Sequence, residues 1–187
     1  MARKNKRSIA APTVLKPFNQ EDRSVQVVVE TPRDSRNKYK FDPNLRAYKL
    51  SRVLPGGMSF PYDFGFIPST LAEDGDPIDV LLLMDTPAFP GCVIDSRLIG
   101  VIEGEQTQNG ETKRNDRLLA VANHSHAHSN LKDIADMNPK LIKELGEFFV
   151  NYHRHNAIKF KVLGTRGPKQ AARLMEQAVK RGKGKAA

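Results

Sequence analysis

The distribution of apolar residues divides the chain into two parts. Up to about residue 122, apolar residues stand in short runs, which is typical of β-strands. Polar clusters that contain Pro, Gly, Asn or Asp separate these runs, as expected for turns. The pattern predicts strands at residues 26–30, 38–41, 46–53, 78–84, 93–103 and 118–122.

In the last third of the chain, apolar residues recur at helical spacing. Asn138 followed by Pro139 is typical of a helix start, because Asn caps free backbone N–H groups and Pro fits the first turn. An apolar face follows at spacings of three and four, formed by Leu141, Leu145, Phe148, Phe149 and Tyr152. Residues 158–163 predict a closing strand, and Gly167-Pro168 begins a second helix. Strands followed by segregated helices indicate an α+β fold with a small barrel or curled sheet.

The composition is that of a single soluble globular protein. The chain has 187 residues, of which 39% are hydrophobic and 27% are charged. Apolar runs such as Val80–Met84 are far shorter than the roughly 20 residues that span a bilayer, so we expect neither a membrane segment nor an export signal. The only cysteine is Cys92, which excludes a disulfide framework and favours a reducing, cytoplasmic location.

The net charge of +9 belongs to the two ends of the chain. Residues 1–16 and 180–187 hold nine Lys and Arg residues and no acid, which leaves the body neutral. We therefore predict a basic flexible tail at 1–20, a single domain at 21–179 and a second basic flexible tail at 180–187. Such tails make at most weak, salt-dependent contacts with polyanions.

Acidic residues are concentrated in the middle of the chain. No Lys or Arg occurs between Val53 and Ser96. The same stretch carries the acids Asp63, Glu73, Asp74, Asp76, Asp79, Asp85 and Asp95. This segregation is unsuited to a nucleic-acid surface and is typical of a site for cations.

One acidic run has the composition of a metal site. Asp74, Asp76 and Asp79 are spaced two and three residues apart around Gly75 and Pro77, in a tight turn before an apolar strand. Such a turn can direct three carboxylates at one point, and Mg²⁺ prefers hard oxygen ligands. The turn could instead serve only to cap the strand, and spacing alone leaves both interpretations open.

The residues around this turn resemble a known enzyme family. The segment Asp74-Gly75-Asp76-Pro77-Ile78-Asp79-Val80 resembles the signature of the soluble family I inorganic pyrophosphatases, and Phe60–Ile67 is similar to the family segment just before it. Further similarities in family order, within residues 27–181, are Lys38-Tyr39, Arg52, Pro90-Gly91, Leu119–Val121, Phe148-Phe149 and Tyr152. The resemblance implies hydrolysis of pyrophosphate to two orthophosphates. It also implies a five-stranded OB-like β-barrel flanked by two principal helices, with extra strands.

The resemblance further implies a Mg²⁺-dependent reaction, with Mn²⁺ or Zn²⁺ as possible substitutes. Asp74 and Asp79 would hold the metal ions that activate a water molecule, and Asp76 would accept its proton. Glu30 would hold a metal ion associated with the substrate. Mg-pyrophosphate is then the expected substrate.

A later part of the family pattern is harder to place. The family has two aspartates five residues apart, followed two residues later by a lysine. Here Glu111 and Asp116 have that spacing and are expected metal ligands, although Asn115 and Arg117 compete for the register. Arg117 would take the phosphate-binding role of the lysine.

The resemblance places three more residues on the substrate. Lys38 and Arg52 match side chains that grip phosphate and assist catalysis. Tyr152 matches a tyrosine that donates a hydrogen bond to phosphate, but it could equally be the last apolar residue of the helix face. Family members form dimers or hexamers, and a chain of this length is expected to form a hexamer rather than a dimer.

The chain departs from the family pattern around the signature. Lys40 stands where the family has an acid, and next to a metal cluster it would either repel cations or replace one. Phe60 and Phe64 stand in place of tyrosines and are expected in the core, while the hydroxyl of Tyr62 could substitute for theirs. His153 stands in place of a lysine. We interpret the chain as a divergent, active branch.

Three alternatives remain open. A related hydrolase could act on an organic pyrophosphate or a nucleotide. A non-catalytic OB-type module could bind nucleic acid, but the neutral body, the absence of Trp and only four Tyr argue against base stacking. The histidines His124, His126 and His128 could bind Zn²⁺ if they alternated along a strand, although a solvated loop is favoured.

Overall fold

The computed structural model describes residues 11–155 and 157–185. Its strands are β1 Val25–Thr31, β2 Asn37–Asp42, β3 Ala47–Val53, β4 Asp63–Phe66, β5 Asp79–Leu83, β6 Val93–Gln108, β7 Glu111–Arg114, β8 Arg117–Ala122 and β9 Lys159–Arg166. Its helices are α1 Pro139–Arg154 and α2 Pro168–Lys185, with short 3₁₀ turns at Pro12–Val14 and Ile134–Asp136. None of the helices in the described ranges is long and apolar enough to cross a membrane.

Five strands close into a barrel. Strands β1, β4, β5, β8 and β6 pair in that order, and β6 pairs back with β1. Among the strand pairs of the described residues, β5 and β8 alone are parallel. The long strand β6 continues past the barrel to pair with β7 and β9, and β2 and β3 form a separate hairpin. The predicted α+β fold with a five-stranded OB-like barrel, two helices and extra strands is therefore confirmed.

The barrel strands are buried on both faces. Along β5, Leu81 and Leu83 pack in the apolar cluster that includes α1 residues, whereas Val80 and Leu82 pack in the cluster that includes α2 residues. Successive strand residues point to opposite faces, so both faces must be apolar. This double burial explains why β5 and β8 appear in the sequence as continuous apolar runs.

The two helices begin where the sequence predicts. The side chain of Asn138 accepts a hydrogen bond from Lys140 N at 2.9 Å and caps α1. Leu145, Phe149 and Tyr152 form its buried face. On α2, the buried residues are Ala171, Met175 and Ala178.

Two short strands were missing from the prediction. Strand β4 is only four residues long and contains Asp63 and Gly65, which are poor strand formers. Gly65 is required there because an added Cβ would lie 2.0 Å from Val28 O of the paired strand. Strand β7 is polar and pairs only with the end of β6, so it has no apolar pattern to detect.

The predicted C-terminal tail is wrong for most of its length. Helix α2 continues through residue 185 instead of stopping at 179. Its later part is anchored, because Arg181 Nε donates to Leu71 O at 2.9 Å, and Ala178 O accepts from Leu71 N at 2.9 Å. Lys180 and Lys183 of this segment are exposed side chains on a packed helix.

The predicted N-terminal tail is also too long. Ser69 N donates to Thr13 O at 2.9 Å, and Ser69 Oγ donates to Leu15 O at 2.8 Å. Phe18 pairs with Val25 as an isolated β-bridge. Residues 11–20 thus belong to the folded domain, and residues 1–10 lie outside the described part of the chain.

Candidate active site

A cavity of about 380 Å³ lies between the β2–β3 hairpin, the turn before β5 and the C-terminal end of α1. Its acidic side chains are Glu30, Asp74, Asp76 and Asp79. Its basic side chains are Lys38, Lys40, Arg52 and Arg117. Residues spread over most of the chain thus converge on one space, as expected for a binding site.

The β2–β3 hairpin supplies three of the four cations. Lys38 and Lys40 are two residues apart on β2 and therefore point to the same face. Arg52 on β3 is the direct cross-strand neighbour of Lys38. Within the described ranges, neither Lys38 nor Arg52 forms an ion pair with a carboxylate, which leaves both charges available to an anionic ligand.

Lys40 behaves differently from these two. Its Nζ lies 2.8 Å from Asp76 Oδ2, and both side chains are about half exposed. Burial lowers the pKa of Lys40, but the hydrogen bond and the charge of Asp76 outweigh it, helped by Glu30 and Asp79, so the pKa lies above its ordinary value. The ammonium group is therefore held in its charged form beside the acidic turn.

The acidic turn is both a strand cap and part of the cavity. Gly75 has φ 93°, a left-handed conformation that favours glycine, and Asp76 N donates to Asp74 Oδ1 at 3.2 Å. Burial, followed by the negative charge of Asp79, raises the pKa of Asp74. The part due to Asp79 reflects a second negative charge nearby, and a bound cation would stabilise both carboxylates.

The parallel pairing of β5 and β8 sets the position of Asp79. It places Asp79 directly opposite Arg117, and the Arg117 Nη1 to Asp79 Oδ2 distance is 3.0 Å. Arg117 is buried, its Nη1 also donates to the Asn115 side chain, and its guanidinium carbon lies 5.3 Å from the Phe149 ring centroid. The rigid barrel thereby fixes the carboxylate of Asp79 in the cavity.

Glu30 closes the acidic side of the cavity from β1. Its Oε1 accepts a hydrogen bond from Phe41 N at 2.8 Å, which ties β2 to β1. Burial raises the pKa of Glu30 to about 7, and the charge of Asp79 adds to the increase, while the bond from Phe41 opposes it. A nearby cation would stabilise this buried carboxylate.

Two predicted metal ligands lie elsewhere. Asp116 Oδ1 accepts from Gly104 N at 3.0 Å and pairs with Arg114 at 2.8 Å, while Glu111 pairs with Lys113 at 3.1 Å. Neither residue lines the cavity. Asp116 lies in the connection between β7 and β8, and its bonds to Gly104 N and Arg114 hold its carboxylate outside the cavity.

The prediction missed two polar residues that line the cavity. Asn115, two residues before Arg117, lines the cavity and donates from Nδ2 to Gln106 Oε1 at 2.5 Å. Parity with Arg117 was the signal that could have selected Asn115 over Asp116. Gln106 lies on the extension of β6 beyond residue 103, which the sequence pattern did not reveal.

His153 is a buried histidine at the inner wall of the cavity. Its ring stacks on Phe160 with 4.8 Å between centroids, and within the described ranges neither ring nitrogen has a hydrogen-bond partner. Burial, together with the positive charges of Arg117 and two cavity cations, lowers the pKa of His153 to about 3. His153 is therefore neutral and does not reproduce the charge of a lysine.

Aromatic rings form the floor beneath the cations. The Nζ of Lys38 lies 5.0 Å from the Phe64 ring centroid and 5.3 Å from that of Tyr152. Phe60 and Phe64 are buried in the apolar core, as predicted. Tyr62 does not line the cavity and instead contacts His128, so its hydroxyl does not replace the missing ones.

The acidic side chains fit a Mg²⁺ site of the open kind. In the described parts of the chain, no three His, Cys, Asp or Glu side chains form a group that could hold a metal ion by themselves. Mg²⁺, however, usually binds one or two carboxylates and completes its shell with water and phosphate oxygens. Asp74 and Asp79, with their mutual repulsion, suit that role.

The three histidines after β8 lie in turns and not on a strand. His124 and His126 are exposed, and Asp85 anchors the loop by accepting from Ser125 Oγ at 2.5 Å and from His126 N at 3.1 Å. The alternating geometry that a zinc site on a strand would need is therefore not formed.

The fold and the cavity define a barrel protein in which an acidic turn faces lysine and arginine side chains, an arrangement suited to a phosphate compound and a divalent cation. The family model described as inorganic pyrophosphatase matches residues 27–183. The chain therefore belongs to the inorganic pyrophosphatase family.

Individual relatives agree with this assignment. An inorganic pyrophosphatase of Thermus thermophilus is 40% identical over 163 residues, which cover 86% of this chain and 91% of that protein. One from Nostoc sp. is 37% identical over 156 residues, or 83% of this chain and 90% of that protein. The crystal structure of inorganic pyrophosphatase from Thermus thermophilus superposes with a TM-score of 0.85 at 36% identity, covering 93% of this chain and 99% of that one.

Proposed function

We propose that this protein hydrolyses inorganic pyrophosphate to two orthophosphates, with water as the phosphoryl acceptor and Mg²⁺ as the cofactor. The observation that carries the proposal is one cavity lined both by the carboxylates of Asp74 and Asp79 and by the cations Lys38 and Arg52, which form no ion pair within the described residues. Pyrophosphate is a small, densely charged anion, and a site with both signs of charge can bind it together with its metal ion. Family membership and the relatives' names support the same activity.

In this proposal the charged residues of the cavity and Tyr152 bind phosphate, accept a proton or hold the metal ion. Lys38 and Arg52 bind phosphate oxygens and hold the departing phosphate, while the Tyr152 hydroxyl donates to it. Asp76 accepts the proton of the attacking water. Asp74 and Asp79, with Glu30 beside them, would hold Mg²⁺, which would supply charge stabilisation for the phosphoryl oxygens and lower the pKa of water.

Arg117 has one role toward the carboxylate of Asp79 and another toward the substrate. It keeps Asp79 in place through the 3.0 Å ion pair and presents positive charge toward the phosphates. We choose Mg²⁺ because the acidic ligands are hard oxygens, and Mn²⁺ or Zn²⁺ could substitute at the same carboxylates.

The test is phosphate release from pyrophosphate with and without Mg²⁺. We expect turnover only with the metal, and a loss of at least about 100-fold in Asp79→Ala, because metal clamps contribute several kcal/mol to such reactions. Undiminished turnover in Asp79→Ala would contradict the proposal. Faster turnover of a nucleoside triphosphate than of pyrophosphate would instead favour an organic substrate.

We further propose that the protein acts in the cytoplasm as a homo-oligomer, a hexamer rather than a dimer. The single, partly buried thiol of Cys92 supports a reducing compartment, and the family resemblance supports the assembly. Light scattering at several protein concentrations tests the assembly, and a mass of one or two chains would contradict it.

A further inference from the structure

The protein itself places basic side chains beside the acidic ones in the cavity. Its four acidic and four basic side chains are equal in number, and His153 is neutral. Two of the three carboxylates of the acidic turn hold a cationic side chain, Lys40 on Asp76 at 2.8 Å and Arg117 on Asp79 at 3.0 Å. A cavity in this state attracts fewer divalent cations than a purely acidic one of the same size.

The backbone holds Lys40 in this position. Strand β2 points Lys40 to the same face as Lys38, which lines the same cavity. The next residue along β2, Phe41, is fixed to the carboxylate of Glu30 by a 2.8 Å hydrogen bond. The backbone directly after Lys40 is thus held by Glu30, while the Lys40 ammonium pairs with Asp76. Besides Asp76, the charges of Glu30 and Asp79 also act on it.

We propose that the Lys40 ammonium takes the place of one divalent cation, so that the active site binds one metal ion fewer than it would with an acid at position 40. The inference deepens the proposed function, because it assigns Lys40 a role at the same site. The ammonium supplies a fixed positive charge between Asp76 and the substrate phosphates. The 2.8 Å contact places the ammonium on a carboxylate oxygen of the turn that would otherwise be open to a metal ion.

Mn²⁺ binding to the protein without pyrophosphate tests the inference. Free Mn²⁺ is measured by electron paramagnetic resonance during titration of the wild type and of Lys40→Glu. We expect Lys40→Glu to bind one more Mn²⁺ per chain, with an affinity for that ion at least about tenfold tighter than any residual binding in the wild type. Equal numbers of bound ions in the two proteins would overturn the inference.

A matched control separates the effect of the Lys40–Asp76 contact from the effect of a change in net charge. Lys49 is the cross-strand neighbour of Lys40 on the same hairpin but does not line the cavity. Lys49→Glu makes the same charge change, and we expect it to bind as many Mn²⁺ ions as the wild type. An additional ion in Lys49→Glu as well would show that net charge, and not the position of Lys40, sets the number.

A second variant keeps the inference testable if Lys40→Glu does not fold. Lys40→Met removes the ammonium without adding a ligand, and it should still gain one Mn²⁺ site at Asp76, of lower affinity. No gain would contradict the inference. The Mn²⁺ count does not depend on turnover. An additional ion in Lys40→Glu, together with a wild type that fails to release phosphate, would refute the proposed function and leave the role of Lys40 intact.

Discussion

The acidic turn before β5 and the acidic residues between β6 and β8 carry similar charge in different surroundings. In the second region, Glu111 and Asp116 each pair with a base two residues away in the sequence, Lys113 and Arg114. In the first region no base is near in sequence, and the partners come from β2 and β8, 36 and 38 residues away. Pairing between residues close in the sequence neutralises charge locally, whereas pairing between distant residues brings separate strands together around a cavity.

The two acidic regions also differ in how deeply their ion pairs are buried. Arg117 is almost fully enclosed beneath Asp79, whereas Arg114 is about one third exposed. A buried ion pair must be complete, because a single charge left behind cannot be hydrated. An exposed pair contributes little to stability, since water replaces either partner.

We expect the largest effect on stability when the buried partner of Asp79 is removed. Arg117→Met keeps contact with the Phe149 ring but leaves Asp79 without its partner, and should lower the free energy of unfolding by about 3 kcal/mol. Arg114→Met is the matched change in the other region and should cost about 1 kcal/mol or less. Urea unfolding at pH 7 measures both. Equal losses would show that the two pairs are equivalent.

Phosphate release should be affected by changes in the acidic turn and not by changes in the second acidic region. Asp74→Asn removes a carboxylate from the cavity and should reduce phosphate release about 100-fold, because a metal ligand stabilises the transition state by several kcal/mol. Asp116→Asn should stay within about threefold of the wild type, since its side chain only accepts from Gly104 and pairs with Arg114. A loss in Asp116→Asn as large as in Asp74→Asn would restore Asp116 to the site.

The pH dependence of stability should report the buried histidine. His153 has a folded pKa of about 3 against 6.5 in the unfolded chain, so the unfolded state takes up the proton first as the pH falls. The neutral His153 ring therefore contributes fully to the free energy of unfolding above pH 6.5. Below pH 6.5 this contribution falls by about 1.4 kcal/mol per pH unit. In urea unfolding between pH 6.5 and 5, His153→Phe should lose less stability than the wild type. His124→Phe, at an exposed position, should follow the wild type.

The smallest effect is expected at the surface of the second region. Lys113→Ala breaks the exposed ion pair with Glu111 and should change the free energy of unfolding by less than about 0.5 kcal/mol. Phosphate release should be unchanged, because neither residue lines the cavity. A change of several kcal/mol in thermal or urea unfolding would show that the β6–β7 hairpin has a larger role.

Much of the fold could be predicted because its signals are local. Apolar runs as long as β5 and β8 must be buried, and Asn138-Pro139 caps α1 through a hydrogen bond two residues away. Strand β4 and the anchoring of residues 11–20 could not be predicted in the same way. They depend on Val28, Ser69 and other partners that are distant in the sequence.

The sequence by itself determined the acidic turn, the absence of bases around it and the cations Lys38 and Arg52. These follow from residue identity and short spacing. Tertiary structure decided which acids and cations meet. The β5–β8 register joined Asp79 to Arg117, the bond from Gly104 N held Asp116 outside the cavity, and the β2–β3 hairpin brought Lys40 to Asp76. Charge acts through distance in space, and only the folded barrel sets those distances.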